Sequence, residues 1–358
     1  MNLKERSIQI IKENQHPGGA FIASPNFPNY RFCWLRDGTF IAYALDLNGE
    51  HEAARKFYTW VNTRLQEQTG KIDLLGDKIR AREELSSRDF LPTRYTLEGA
   101  EHEDDWPNFQ LDGYGAWLWG LAEHLRLTGA QRLPEEFAPS IRATVKYLAL
   151  CWQFPNYDCW EEYPDKIHTS TLICLYGGIL AAAGLLARED WVDLAGEIKG
   201  FIVKNQINNG HLVKYVGSEE VDASLLWAAL PFNLLAPDDP VMQKTVQKVE
   251  ADLLHQGVHR YAADTYYGGG EWVHLTAWLG WYYARTGRKG EARQLLSWVG
   301  AQADADGSLP EQVCAHLNDP AFYPIWIERW GPVAKPLLWA HAMYLVLLHE
   351  LEANGQLK

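Results

Sequence analysis

Leu47-Asn48-Gly49-Glu50-His51-Glu52-Ala53-Ala54-Arg55-Lys56-Phe57-Tyr58-Thr59-Trp60-Val61 reads as a corner between two helices. The Asn-Gly pair stops one periodic segment. Ala53, Ala54, Phe57, Val61 and Leu65 then fall at the i, i+3, i+4 spacing of a helix with one buried face. The pattern returns without gaps at Arg285 to Val299, where glycine, Ala-Arg and Trp-Val recur at matching places. Neither corner can bury its apolar face alone, so further helical hairpins must stack against it.

Working outward, the 3.6-residue period predicts helices over 3–14, 37–47, from the corner to Leu65, and over 112–128, 135–152, 169–186 and 190–204. Others follow over 223–234, 240–254, 273–286, 290–303 and 336–353, about twelve in all. Strands are expected only as short hairpins within loops, such as 211–216. Residues 69–109 are charged and poorly periodic, and read as a long loop of the kind that often carries function. Tight glycine turns alternate with longer, aromatic-laden loops, as if helix pairs were joined closely at one end and loosely at the other. An all-α ring with functional loops gathered at one end fits this, as one domain over residues 1–358.

The formal charge is −13 with no basic run to offset it, so nucleic acid and anionic membrane surfaces are poor partners. Sixteen Trp and 17 Tyr are many for this length, and numbers of them sit beside Gly, Pro or Asp. Flat side chains on loops suit ligands with flat apolar faces, such as sugar rings, although some must simply fill the core. Five cysteines without a Cys-x-x-Cys pair argue against a disulfide framework or zinc cage and favour a reducing compartment. The first fifteen residues lack an apolar signal core, and no uninterrupted apolar run reaches the roughly 18 residues of a membrane helix. A cytoplasmic protein is expected; oligomeric state is left open.

Five loop segments bring chemistry. Trp34-Leu35-Arg36-Asp37-Gly38 sets a donor fork beside an acceptor, suited either to hydroxyl recognition or to helix capping. Trp106-Pro107-Asn108-Phe109-Gln110-Leu111-Asp112-Gly113 adds an indole, two amides and a carboxylate. The acidic run His102-Glu103-Asp104-Asp105 is a poor metal site, because consecutive residues rarely converge on one ion; no metal or cofactor is expected. Cys159-Trp160-Glu161-Glu162-Tyr163-Pro164 places two carboxylates between an indole and a phenol, where desolvation raises a carboxyl pKa. His259 to Trp272 contributes Arg260, two acids and four aromatics. Asp306-Gly307-Ser308-Leu309-Pro310-Glu311-Gln312 carries one glutamate outside any helix. Each reads equally as ordinary loop or cap structure. Two loop glutamates 150 residues apart in the chain (161 and 311) together suit a reaction that needs an acid and a base on opposite sides of a substrate, as glycoside hydrolysis does.

In this order, Tyr30 to Asp37, Trp106 to Gly113, Trp160-Glu161-Glu162, Arg260 to Trp272, Leu309-Pro310-Glu311-Gln312 and Pro336 to Ala342 together resemble glycoside hydrolase family 15, the glucoamylase and glucodextranase family. The resemblance implies an (α/α)6 barrel and inverting, exo-acting release of β-glucose from a non-reducing end. It implies Glu161 as general acid with a raised pKa and Glu311 as general base, ionised. Arg36 and Asp37 would hold the terminal sugar's hydroxyls; Tyr30, Trp34, Trp106, Trp160, Trp272 and Trp339 would wall the pocket, with Glu162 and Arg260 adding polar contacts. Small α-gluco-oligosaccharides are the expected substrates, with α-1,6-linked isomaltose favoured over maltose-type sugars or trehalose. The alternatives are a catalytically silent sugar-binding module on the same fold, or another (α/α)-barrel enzyme such as an unsaturated-uronide hydrolase.

Overall fold

The computed structural model describes residues 2–101, 104–353 and 355. Its helices are α1 (Leu3–Glu13), α2 (Leu35–Leu47), α3 (His51–Glu67), α4 (Thr69–Ala81), α5 (Asp112–Leu127), α6 (Ala138–Cys151), α7 (Thr169–Leu186), α8 (Glu189–Asn205), α9 (Pro240–Leu253), α10 (Val273–Arg285), α11 (Lys289–Ala301), α12 (Phe322–Trp330) and α13 (Leu338–Ala353). Contacts close them into a ring. α2 packs on α5, α5 on α7, α7 on a short 3-10 turn at Ala223–Ala228, that turn on α10, α10 on α13, and α13 back on α2. Each inner member carries an outer helix: α3, α6, α8, α9, α11 and α1. This is the expected (α/α)6 barrel.

The sorting follows from sequence. α7 contains no charged residue and α2 is buried over nearly all its length, as inner helices surrounded by protein must be. α3 instead buries Ala53, Ala54, Phe57, Val61 and Leu65 and turns charged residues outward. α7 is, by length and mean composition, long and apolar enough to cross a membrane, although Thr169, Ser170 and Thr171 keep it from being an uninterrupted apolar run; here that surface is mostly buried against its neighbours. α5 and α7 approach so closely that a methyl group on Gly178 would meet the Gly115 carbonyl at 2.1 Å.

The repeated corner joins an inner helix to an outer one each time. Gly49 and Gly287 take φ of +80° and +81°, and Glu50 N–H donates to Leu45 O as Arg288 N–H does to Tyr283 O, both at 2.9 Å. The α5 end repeats it with Gly129 and Ala130 N–H to Leu125 O. α7 ends the same way, but with Ala187 in the left-handed position.

Three expectations fail locally. Thr69–Ala81 is helical, not loop: Ile72, Leu75 and Gly76 bury one face at helical spacing while the other stays charged. The helix expected over 223–234 is only the 3-10 turn, because Pro231 cannot continue it. α12 lies in a segment read as loop. Two-residue ladders, too short to show as alternation, pair β1 (Cys33–Trp34) with β2 (Arg94–Tyr95), β3 (Ile207–Asn208) with β4 (His211–Leu212), and β5 (Glu271–Trp272) with β6 (Gln312–Val313).

Candidate active site

The ladders and turns at one end of the barrel aim side chains into a cavity of about 520 Å³. β1 delivers Trp34 just before α2 begins with Arg36 and Asp37. β5 delivers Trp272, and its pairing with Gln312 sets Glu311 beside it, where Val273 N–H donates to the Glu311 carbonyl at 3.1 Å. Every site residue expected from the sequence lines this one cavity: Tyr30, Trp34, Arg36, Asp37, Trp106, Trp160, Glu161, Glu162, Arg260, Trp272, Glu311 and Trp339.

Glu161 sits on a turn rather than a helix end, in a left-handed conformation at φ +61°. Asp158 organises that turn, its Oδ1 accepting from Trp160 N–H at 3.0 Å and Glu162 N–H at 2.8 Å. The donors to the Glu161 carboxyl gather on Oε1: Trp34 Nε1 and Gln110 Nε2, each at 3.1 Å, with Arg36 Nη2 at 3.7 Å. Oε2 is left to the cavity. Burial pushes this carboxyl up to about 7, against the opposing pull of Arg36 and Gln110. Arg36 is itself held by Asp112 at 3.0 Å, Asp37 at 3.2 Å and Gln110 at 3.2 Å. Asp37, desolvated despite Arg36, is raised to about 6.

Glu311 is 2% exposed and lies beside Tyr30, whose hydroxyl stands 3.0 Å from that of Tyr266. Its Oε2 is buried without a protein donor. The expectation that Glu311 stays ionised is therefore corrected: burial drives it to about 8, more than Tyr30 and Arg260 draw it back. Glu162 differs from its neighbour. Its oxygens accept from Arg260 Nη2 at 3.2 Å and from the Tyr261 hydroxyl. Arg260 is fixed by Asp264 and lies within 5.3 Å of the Trp160, Tyr266 and Trp272 ring centroids.

Several residues that line the cavity or hold its lining were not singled out from the sequence. Gln110, Asp112 and Tyr266 lay within the quoted segments, but nothing local separated them from helix-start and loop residues. Trp326, Arg329 and Trp330 come from α12 and extend the wall outward. Trp330 meets Trp106 at 6.0 Å and Tyr266 at 5.9 Å between ring centroids. His102 and Glu103, part of the acidic run set aside as a metal site, lie outside the described residues.

An aromatic, dead-ended pocket with two desolvated carboxyls and a buried arginine–carboxylate cluster at its floor is the equipment of a glycoside hydrolase. Comparison with known proteins gives the family. The sequence model of glycosyl hydrolases family 15 matches residues 3–314, and the chain belongs to that family. It is 41% identical over 357 residues to an isomaltose glucohydrolase from Kribbella flavida, covering 98% of this chain and 92% of that one. A glycosidase variant solved in complex with glucose superposes with a TM-score of 0.94 at 40% identity, over 99% of this chain and 97% of the other. A bacterial glucoamylase complexed with acarbose shares the fold, with a TM-score of 0.77 at 18% identity over 97% of this chain and 55% of its own.

Proposed function

We propose that the protein is an exo-acting α-glucosidase that removes glucose, by inversion, from the non-reducing end of short α-gluco-oligosaccharides, with isomaltose foremost. The observation that carries this reading is the pocket itself. Its floor is buried and closed by Arg36, Asp37, Trp160, Trp272 and Trp339, so only a chain end can enter. The near full-length likeness to an isomaltose glucohydrolase supports the α-1,6 linkage.

In this reading Arg36 and Asp37 bind the hydroxyls of the terminal glucose, and the indoles stack on its faces. Glu161 uses Oε2, the oxygen not occupied by protein donors, to protonate the departing glycosidic oxygen. Glu311 accepts a proton from water, through the carboxylate oxygen that is not sealed from the cavity, as that water attacks the anomeric carbon from the opposite face. A base raised to about 8 would be neutral near pH 7, the wrong form for the task. The attacking water donates a hydrogen bond to the charged form of this carboxylate, and such a bond lowers a carboxyl pKa. Glu311 thus ionises as the working complex assembles.

The test is incubation with isomaltose, isomaltotriose, maltose, trehalose and an unsaturated uronide disaccharide, following released glucose. Fastest release from isomaltose is expected. No hydrolysis of any gluco-oligosaccharide would favour a silent sugar-binding module, and cleavage of the uronide alone would replace the reading.

A further inference from the structure

One buried cation outside the cavity backs the proton-donor turn through the carboxylates that hold it. Lys214 follows β4 and is 3% exposed. Its backbone is pinned on both sides, with Thr169 N–H donating to its carbonyl at 3.0 Å and its own N–H to Glu220 O at 2.8 Å. The ammonium group stands 3.3 Å from Asp158 Oδ2 and 2.6 Å from Asp222 Oδ2. Asp158 is the carboxylate whose other oxygen collects the N–H groups on either side of Glu161. Asp222 Oδ2 also accepts the Trp160 indole N–H, at 3.0 Å. On its remaining side Lys214 lies 3.6 Å above the Tyr261 ring, whose hydroxyl donates to Glu162.

We propose that Lys214 is a positioning residue for the hydrolytic reaction: it holds the turn around Glu161 in its left-handed form and so sets where the acid's proton is delivered. The physical need is clear on both counts. A non-glycine residue at positive φ persists only where surrounding bonds over-determine it, and here both Glu161, at +61°, and Tyr163, at +51°, are so placed. Two buried carboxylates side by side stay ionised only with a cation between them. Without Lys214, the carboxylates of Asp158 and Asp222 would lose the cation that both contact, and the bonds from Asp158 to the turn would weaken. Lys214 makes no contact with the cavity, so it acts only through these partners.

The proposal rests on Glu161 being the general acid, and the test separates the two claims. Lys214→Met is compared with wild type on the gluco-oligosaccharide cleaved fastest and on α-D-glucosyl fluoride, whose fluoride leaves without needing a proton. Misplacement of the acid is expected to lower kcat for the oligosaccharide about 100-fold, with KM little changed and fluoride hydrolysis largely kept. Lys214→Arg keeps the charge and the fold while shifting the donor; a smaller loss with the same selectivity is expected, and it serves alone if Lys214→Met does not fold. Equal losses on both substrates, or no loss, overturn the positioning role. Glu161→Gln is the control: if it spares the oligosaccharide, the acid assignment fails instead.

Discussion

At the scale of single residues, two glutamates of the same type are made different by what reaches their oxygens. Glu161 has donors on one oxygen and the cavity at the other; Glu311 is buried with one oxygen unserved. Both are raised from the ordinary 4.5, to about 7 and about 8. These two carboxyls therefore hold more protons in the folded chain than in the unfolded one between about pH 4.5 and pH 8, and their contribution to stability falls as pH rises through that window. Replacing Glu311 with Gln removes the charge that burial opposes. We expect a turnover loss of about 10²–10⁴-fold, accompanied by a melting temperature above that of wild type at pH 8 and equal to it at pH 4. A variant that is active, or no more stable at pH 8, contradicts this assignment. The trade of stability for a poised carboxyl is common at catalytic sites.

At the scale of elements, the corner is the unit that the fold repeats. Its one departure is testable. Ala187 is exposed and left-handed, at φ +52°, where three sister corners have glycine. Because the methyl group packs on nothing, Ala187→Gly should stabilise the protein by about 0.5–1 kcal/mol in urea unfolding; a destabilised variant would show that the corners are not equivalent. Elements with a strong period, such as α3 and α8, were legible in sequence because their burial is periodic. So was the candidate site, because Trp160-Glu161-Glu162 and Leu309-Pro310-Glu311-Gln312, each weak on its own, follow one another in the order of the family's segments. α4 was hidden by its many charges. α12 was hidden for the opposite reason: Phe322-Tyr323-Pro324-Ile325-Trp326-Ile327-Glu328-Arg329-Trp330 has apolar residues on all sides, none of them buried, because it spans a cavity wall rather than a core. Lys214 and Asp222 had no signal for this role, since Asp158 and Trp160, the partners that tie them to the proton-donor turn, lie far away in the chain.

At the scale of the whole molecule, the ring explains why residues from 30 to 339 can meet. Six inner elements bring their loop ends to one rim, and the barrel below is filled by aromatic packing rather than left as a channel: Phe40 stacks on Trp339 at 5.8 Å and meets Trp278 at 4.7 Å. A plugged barrel makes a pocket, and a pocket admits a chain end. In the proposed reading the acid and base act on one glycosidic bond from opposite sides, which dictates the configuration of the product. The most direct measurement is proton NMR of the anomeric region during the first minutes of isomaltose hydrolysis, before mutarotation mixes the anomers. The account predicts that β-glucose appears first and α-glucose only later. If α-glucose appears first, Glu161 and Glu311 do not work as an inverting pair and the central claim is wrong.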